Sequence, residues 1–158
     1  MLRELQVIKD KPAIASYKAG ETTISTGMAV VKNETDKTFE FASAETATDL
    51  YFVDKERIPT GINAARENMS DYDADFTTLV EGDFGKLINY LPGERFATDA
   101  YVETGIATGV RLSANTAGKI VKAATTVESK YVCGGFYTDN GHKLVIVEVS
   151  DTTGKNAS

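Results

Sequence analysis

Apolar and polar residues alternate with a period of two along most of this chain, which predicts strands rather than helices. Across residues 24–31, Ile24, Met28 and Val30 share one face. The polar run at 32–37 reads as a turn, and Phe39 and Phe41 alternate again beyond it, so the two stretches predict a hairpin. Residues 50–53 predict another short strand, stopped by Asp54, Lys55, Glu56 and Arg57. The texture then changes. Pro59 and Gly61 break regular structure, residues 63–69 could make two turns of helix, and 58–75 reads as an irregular excursion from a β-scaffold.

The strand pattern resumes at Phe76. A turn is predicted at 81–83, and Phe84, Ile88 and Tyr90 fall on one face of the next strand. Pro92-Gly93 suits the centre of a type II turn, because proline fixes φ and glycine accepts φ > 0. Phe96, Thr98, Ala100 and Val102 alternate outward from it. Residues 106–112 and 119–123 form a predicted hairpin around 115–118, and 130–137 and 143–149 form another around Asn140-Gly141. Leu144-Val145-Ile146-Val147 is apolar on both faces, which predicts the middle of a sheet or contact with a partner chain. Residues 150–158 are small and polar and predict a flexible tail.

An offset of 82 brings two of these hairpins into register. Ile24 falls on Ile106, Thr26-Gly27 on Thr108-Gly109, Asn33 on Asn115 and Lys37 on Lys119. The apolar positions follow, with Met28 on Val110, Val30 on Leu112 and Phe39 on Val121. The expected organisation is therefore an N-terminal arm at 1–22 and a β-barrel-like domain at 23–149. That domain would hold duplicated units at 23–57 and 105–149. The fold class is all-β, a small β-barrel or β-sandwich.

Composition narrows the function classes. At 158 residues the chain can build a core without staples. Its net charge of −6 argues against a protein that neutralises a nucleic-acid backbone. No apolar run approaches the length of a membrane span. The N-terminal residues lack the apolar region of a signal peptide, so folding in a cytosol is expected and the Asn-x-Ser/Thr sequons at Asn33, Asn68 and Asn156 are discounted.

Chemistry is scarce. The single cysteine, Cys133, lies in an apolar strand and reads as a small core residue. The single histidine, His142, follows a turn and has no ligating partners nearby in sequence. Asp71, Asp73 and Asp75 alternate like the opening of a calcium loop, but Phe76 and Gly82 stand where that loop needs glycine and a bidentate glutamate. No nucleophile elbow, phosphate loop or zinc motif occurs. No enzymatic activity, cofactor or metal is expected.

From about Glu81 to Val149 the chain resembles the small β-barrel of tailed-bacteriophage head decoration proteins. The residues that carry this are 105–112, the return at 118–123, and the closing stretch from Gly134-Gly135-Phe136 to 144–149. The resemblance implies a virion structural protein, made in the host cytoplasm, that binds the outer capsid surface. It would bridge major capsid subunits and stiffen the shell, as a homo-oligomer and most simply a trimer. Alternatives are another virion β-module of the tail, tail tube or fibre, and a host-surface or glycan-binding module. Contacts are expected from the arm, through Leu5, Val7, Ile8, Ile14 and Tyr17, and from the excursion, through Arg57, Arg66 and Tyr72. The arm could instead be an edge strand of the chain's own sheet.

Overall fold

The computed structural model describes residues 1–8, 14–21, 23–55 and 77–157, and the architecture is all-β. The strands are β1 (Leu2–Gln6), β2 (Lys18–Ala19), β3 (Ile24–Ser25), β4 (Ala29–Asn33), β5 (Thr38–Glu40) and β6 (Tyr51–Asp54). They continue with β7 (Thr78–Leu79), β8 (Lys86–Ile88), β9 (Arg95–Thr98), β10 (Arg111–Ala114) and β11 (Ile120–Lys122). The last two, β12 (Ser129–Asp139) and β13 (His142–Gly154), form one long hairpin. Arg57, Arg66 and Tyr72 lie outside the described residues, as does the whole of the excursion at 58–75.

The strands curl into two barrel-like rings. In the first, β5, β4, β6 and β8 are neighbours in that order. The segment 14–20 closes it. Ile14 exchanges backbone hydrogen bonds with Leu87 at 3.3 and 3.0 Å, and four residues later β2 pairs in parallel with β5. In the second ring β11, β10, β12, β13 and β9 are neighbours, with β1 added outside β9. Here the segment running on from β9 closes the ring, Ile120 N–H donating to Ala100 and Val102 N–H to Ile120 at 2.9 and 2.8 Å. Closing both edges this way removes two of the unpaired strand edges that invite aggregation.

The duplication is therefore larger than the repeated hairpins. Val53 pairs with Leu87, which pairs with Ile14; Cys133 pairs with Val147, which pairs with Phe96. Each repeat is a whole ring, beginning near Ile14 and near Arg95 rather than at 23 and 105. The turn register also needs correcting. β4 and β10 match at an offset of 82, but Asn33 pairs with Thr38 whereas Ala114 pairs with Ile120, so the second turn is one residue shorter. Phe39 thus corresponds to buried Ile120 and not to half-buried Val121. Lys37 corresponds to Gly118, and both have positive φ, 55° and 68°. The Lys37–Lys119 match is a coincidence of composition.

Gly27 and Gly109 stand at the same place in the two rings. Met28 N–H donates to Ser25 and Val110 N–H to Ala107, both at 3.1 Å, closing four-residue turns with the glycine third. Their φ values of 91° and 86° are those a type II turn requires at that position. These residues interrupt the two long strands read from the alternation, because the chain must reverse before β4 and β10 begin.

The first ring encloses Tyr17, Ile24, Val30, Phe39, Val53, Leu79 and Leu87. The second core includes Phe96, Leu112, Ile120, Tyr131, Cys133 and Val147, and it takes in Ala29, Leu50, Phe52 and Tyr90 from the first unit. Phe52 points away from Val53, the inward residue beside it on β6. Its ring meets Phe96 at 4.3 Å and Tyr131 at 5.8 Å between centroids, and Tyr90 stacks on Phe96 at 4.1 Å. The two rings share this aromatic core. β13 lies mid-sheet as its two-sided apolar pattern predicts, Leu144 and Ile146 being covered by Met1 and Ala97.

At the N-terminal end the second of the two readings, an edge strand, replaces the arm, and at the other end the flexible tail is overturned. Leu2–Gln6 is not a detached arm but the outer strand of the six-stranded sheet, in register with β9 from Leu2–Thr98 to Gln6–Arg95. Residues 14–20 are barrel wall. The polar tail is ordered too: β13 runs to Gly154, opposite Ser129. Beyond it the Asn156 side chain bonds the backbone of Arg111 and Ala123. Polar composition misled here, because backbone pairing and one amide side chain supply the ordering that apolar burial does not.

Candidate partner-binding surfaces

The exposed N-terminal apolar residues lie at the open end of β1. Leu5, Val7 and Ile8 are exposed, at 42, 37 and 62%. A bulge between Glu4 and Gln6 breaks the register with β9 at Leu5. The chain is held there by Glu94, whose wholly buried carboxylate accepts from Ile8 N–H at 3.1 Å and from Leu91 N–H at 2.6 Å. The Pro92-Gly93 turn forms as read, Glu94 N–H donating to Leu91 at 3.1 Å. Its exposed Leu91 adds to the patch, and Ile8 packs on Gly93. Among the described residues β1 has a neighbour only on the β9 side. One outer sheet edge and an apolar strip thus sit together at the junction of the rings, with Glu94 fixing both.

Ile14 and Tyr17 belong elsewhere. Ile14 is half-buried in the wall of the first ring and Tyr17 is buried in its core, so neither joins that strip. The Tyr17 hydroxyl donates to Glu34, which also pairs with Lys32 at 2.9 Å and Lys37 at 3.1 Å. Lys32 lies over the Tyr17 and Tyr51 rings, 5.3 and 4.9 Å from their centroids. The Tyr17 hydroxyl, then Lys32 and Lys37, hold the Glu34 carboxyl down to about 2. The hydrogen bond to Glu34 in turn raises the Tyr17 hydroxyl. This cluster borders an open cavity of about 730 Å³ lined by Val31, Ser43, Glu45, Thr46 and Asp49 among others. Lys32 thus lies over one face of each tyrosine ring.

Because the folded value is depressed, the Glu34 contribution is present above the ordinary carboxylate range and fades as pH falls through it toward about 2. An NMR titration of the Glu34 side-chain carbon should give a midpoint near 2, rising in Tyr17→Phe. A midpoint at the ordinary value in the parent protein would contradict the cluster.

A second exposed aromatic group lies on the β12–β13 hairpin. Phe136 and Tyr137 are exposed, Tyr101 stands 6.0 Å from Phe136 between centroids, and Lys143 sits over the Phe136 ring. Asn140 and Gly141 turn the hairpin with φ of 48° and 83°, as their sequence predicts. Arg3 pairs with Asp139 at 2.8 Å, tying the tip to β1. The β6–β8 connection of the first ring is the equivalent place. Val53 and Leu87 are 34 positions apart where Cys133 and Val147 are 14, so the excursion is an insertion at the site of this hairpin. The alternation pattern gave no sign of Phe136 as a surface residue, because it continues the strand.

Of the candidate chemical groups, Asp71, Asp73 and Asp75 lie outside the described residues. Cys133 is buried, and burial raises its thiol above the usual range. No three His, Cys, Asp or Glu side chains gather as a metal site among the described residues. No helix among them is long and apolar enough to cross a membrane. Fold and surfaces together define an all-β protein of two barrel-like units joined through one core. Comparison with family models, curated proteins and solved structures finds no match to this chain.

Proposed function

We propose that the chain is a non-enzymatic virion structural protein, a head decoration protein that binds the outer capsid surface and stabilises the shell. Its partner would be the major capsid protein, with adjacent subunits bridged and a homo-oligomer, most simply a trimer, on the lattice. The observation that carries this reading is the exposed strip of Leu5, Val7, Ile8 and Leu91 beside the outer edge of β1. An extended segment of a shell protein could add to that edge, with its backbone supplying affinity and the strip supplying apolar contact. Many weak contacts of this kind are multiplied by a repetitive lattice. The resemblance to small-barrel decoration proteins supplies the identity of the lattice.

The test uses assembled shells of the capsid protein encoded beside this gene. Saturable co-sedimentation with shells but not with free subunits is expected, together with greater heat resistance of the bound shell. Ile8→Asp with Leu5→Asp should weaken binding at least tenfold while leaving the melting transition near that of the parent, since both side chains are exposed. Absence of phage genes around the coding sequence, or equal binding by the double variant, would remove this reading.

A further inference from the structure

The two rings meet head to tail. The first presents Gly27, Ala29, Thr46 and Phe52; the second presents Thr98, Gly118, Ala114 and Phe96. Ala29 N–H donates to Gly118 at 2.8 Å, Thr98 hydroxyl donates to Gly27 at 3.0 Å, and Thr46 and Ala114 exchange backbone hydrogen bonds at 3.0 and 2.7 Å. A two-fold arrangement would repeat each contact with the roles exchanged. Arg111, the counterpart of Ala29, would then donate to Lys37, the counterpart of Gly118. It does not. Lys37 accepts from Lys18 within its own ring at 3.0 Å, and Arg111 N–H goes to Asn156 at 2.8 Å. A contact between different faces of equivalent units adds further units, into a closed ring or an open stack, unless something stops it.

Both ends of this stack carry a stop. On the second ring, the Asn156 amide occupies the backbone position that receives the Gly118 turn on the first. Its oxygen accepts from Arg111 N–H, and its nitrogen donates to Arg111 and Ala123 carbonyls at 2.9 and 2.7 Å. One side chain thus reproduces the carbonyl that a docked turn would bring. On the first ring, lysines replace the residues that fit. Lys32 stands for Ala114 and Lys37 for Gly118. A Cβ at Gly118 would lie 2.5 Å from the Phe41 ring and 3.0 Å from the Ala29 carbonyl, so this slot admits only glycine. The opposing face carries Arg111, and Lys122 in place of Phe41, so a second copy would also bring like charges together.

We infer that the Arg111 edge of the second ring is a self-docking site for the 33–38 turn of another copy of this chain. Asn156 plugs it, and Lys32 and Lys37 disqualify the turn that would fill it. The chain is a stack of two units closed at both ends. This stands independently of the capsid reading, since it concerns only contact between copies.

The plug is tested first by amide hydrogen exchange. In Asn156→Ala the Arg111 amide should exchange at least about tenfold faster than in the parent, as expected for loss of a hydrogen bond. An unchanged rate would overturn the assignment of Asn156. The stop is tested by sedimentation velocity across concentration. Asn156→Ala alone should keep the parent's mass, because the lysines still bar the turn. Asn156→Ala combined with Lys32→Ala and Lys37→Gly should associate further, to roughly twice the parent's mass or more as concentration rises, with the Arg111 amide protected again. A folded triple variant that stays at the parent's mass would overturn the docking site. Should the triple variant not fold, the same mass comparison on Asn156→Ala with Lys32→Ser and Lys37→Gly decides it, further association being the expected result and the parent's mass the overturning one.

Discussion

Phe52→Ala is expected to lower the stability of the chain by about 3–5 kcal/mol, the usual cost of emptying a buried aromatic site. Phe52 is wholly buried and touches Tyr90, Phe96 and Tyr131, so the loss falls on both rings. Its position is what makes the effect particular. Phe52 faces outward from the first ring and inward to the second core, so the cavity would open at the junction itself. Urea unfolding followed by two probes should show it. Hydrogen exchange in β4 and β12 should report one shared transition in the parent and two separated transitions in the variant. A single cooperative transition with a loss under about 1 kcal/mol would mean that the junction is held by its backbone hydrogen bonds instead.

Gly27→Ala should be the second severe substitution, and Gly109→Ala its control. Both glycines have φ near 90° and the same turn, so alanine meets the same backbone penalty at each, about 1 kcal/mol or somewhat more. Their surroundings differ. A Cβ on Gly27 would lie 2.4 Å from the Thr98 hydroxyl and 2.5 Å from the Met1 carbonyl, whereas Gly109 has nothing within 4 Å. The Thr98 hydroxyl is itself committed to the Gly27 carbonyl and to Ala100 N–H. Neither contact can yield without breaking the seam between the rings, so Gly27→Ala should cost about 2 kcal/mol more than Gly109→Ala. Chemical denaturation of the two variants side by side measures the difference. Equal losses would show that backbone conformation alone fixes both positions.

The two glycines also mark how far the chain could be read from its residues. Alternation located most strands, the shared Thr-Gly and Asn positions exposed the duplication, and Pro92-Gly93 and Asn140-Gly141 announced their turns through φ preferences that are local properties. Strand interruptions at Gly27 and Gly109 were less legible, since a glycine within an alternating run marks a bulge or a sharp bend alike until the turn bond is seen. The exposed residues of the N-terminal strip were visible as apolar residues between polar ones. Ile14 and Tyr17 looked the same in sequence, yet ring closure buries Tyr17 and puts Ile14 into the wall.

By itself the sequence determined an all-β chain, two related hairpins and the absence of any recognised catalytic motif, because these follow from period, turn chemistry and residue type. Only the tertiary structure decided that each repeat is a whole ring, that the turn register differs by one residue, and that Phe52 belongs to the other unit's core. It also decided that the polar tail is anchored through Asn156. These are long-range matters. They depend on which backbone groups remain unpaired once the rings have closed, and that is a property of the assembled sheet rather than of any stretch of the chain.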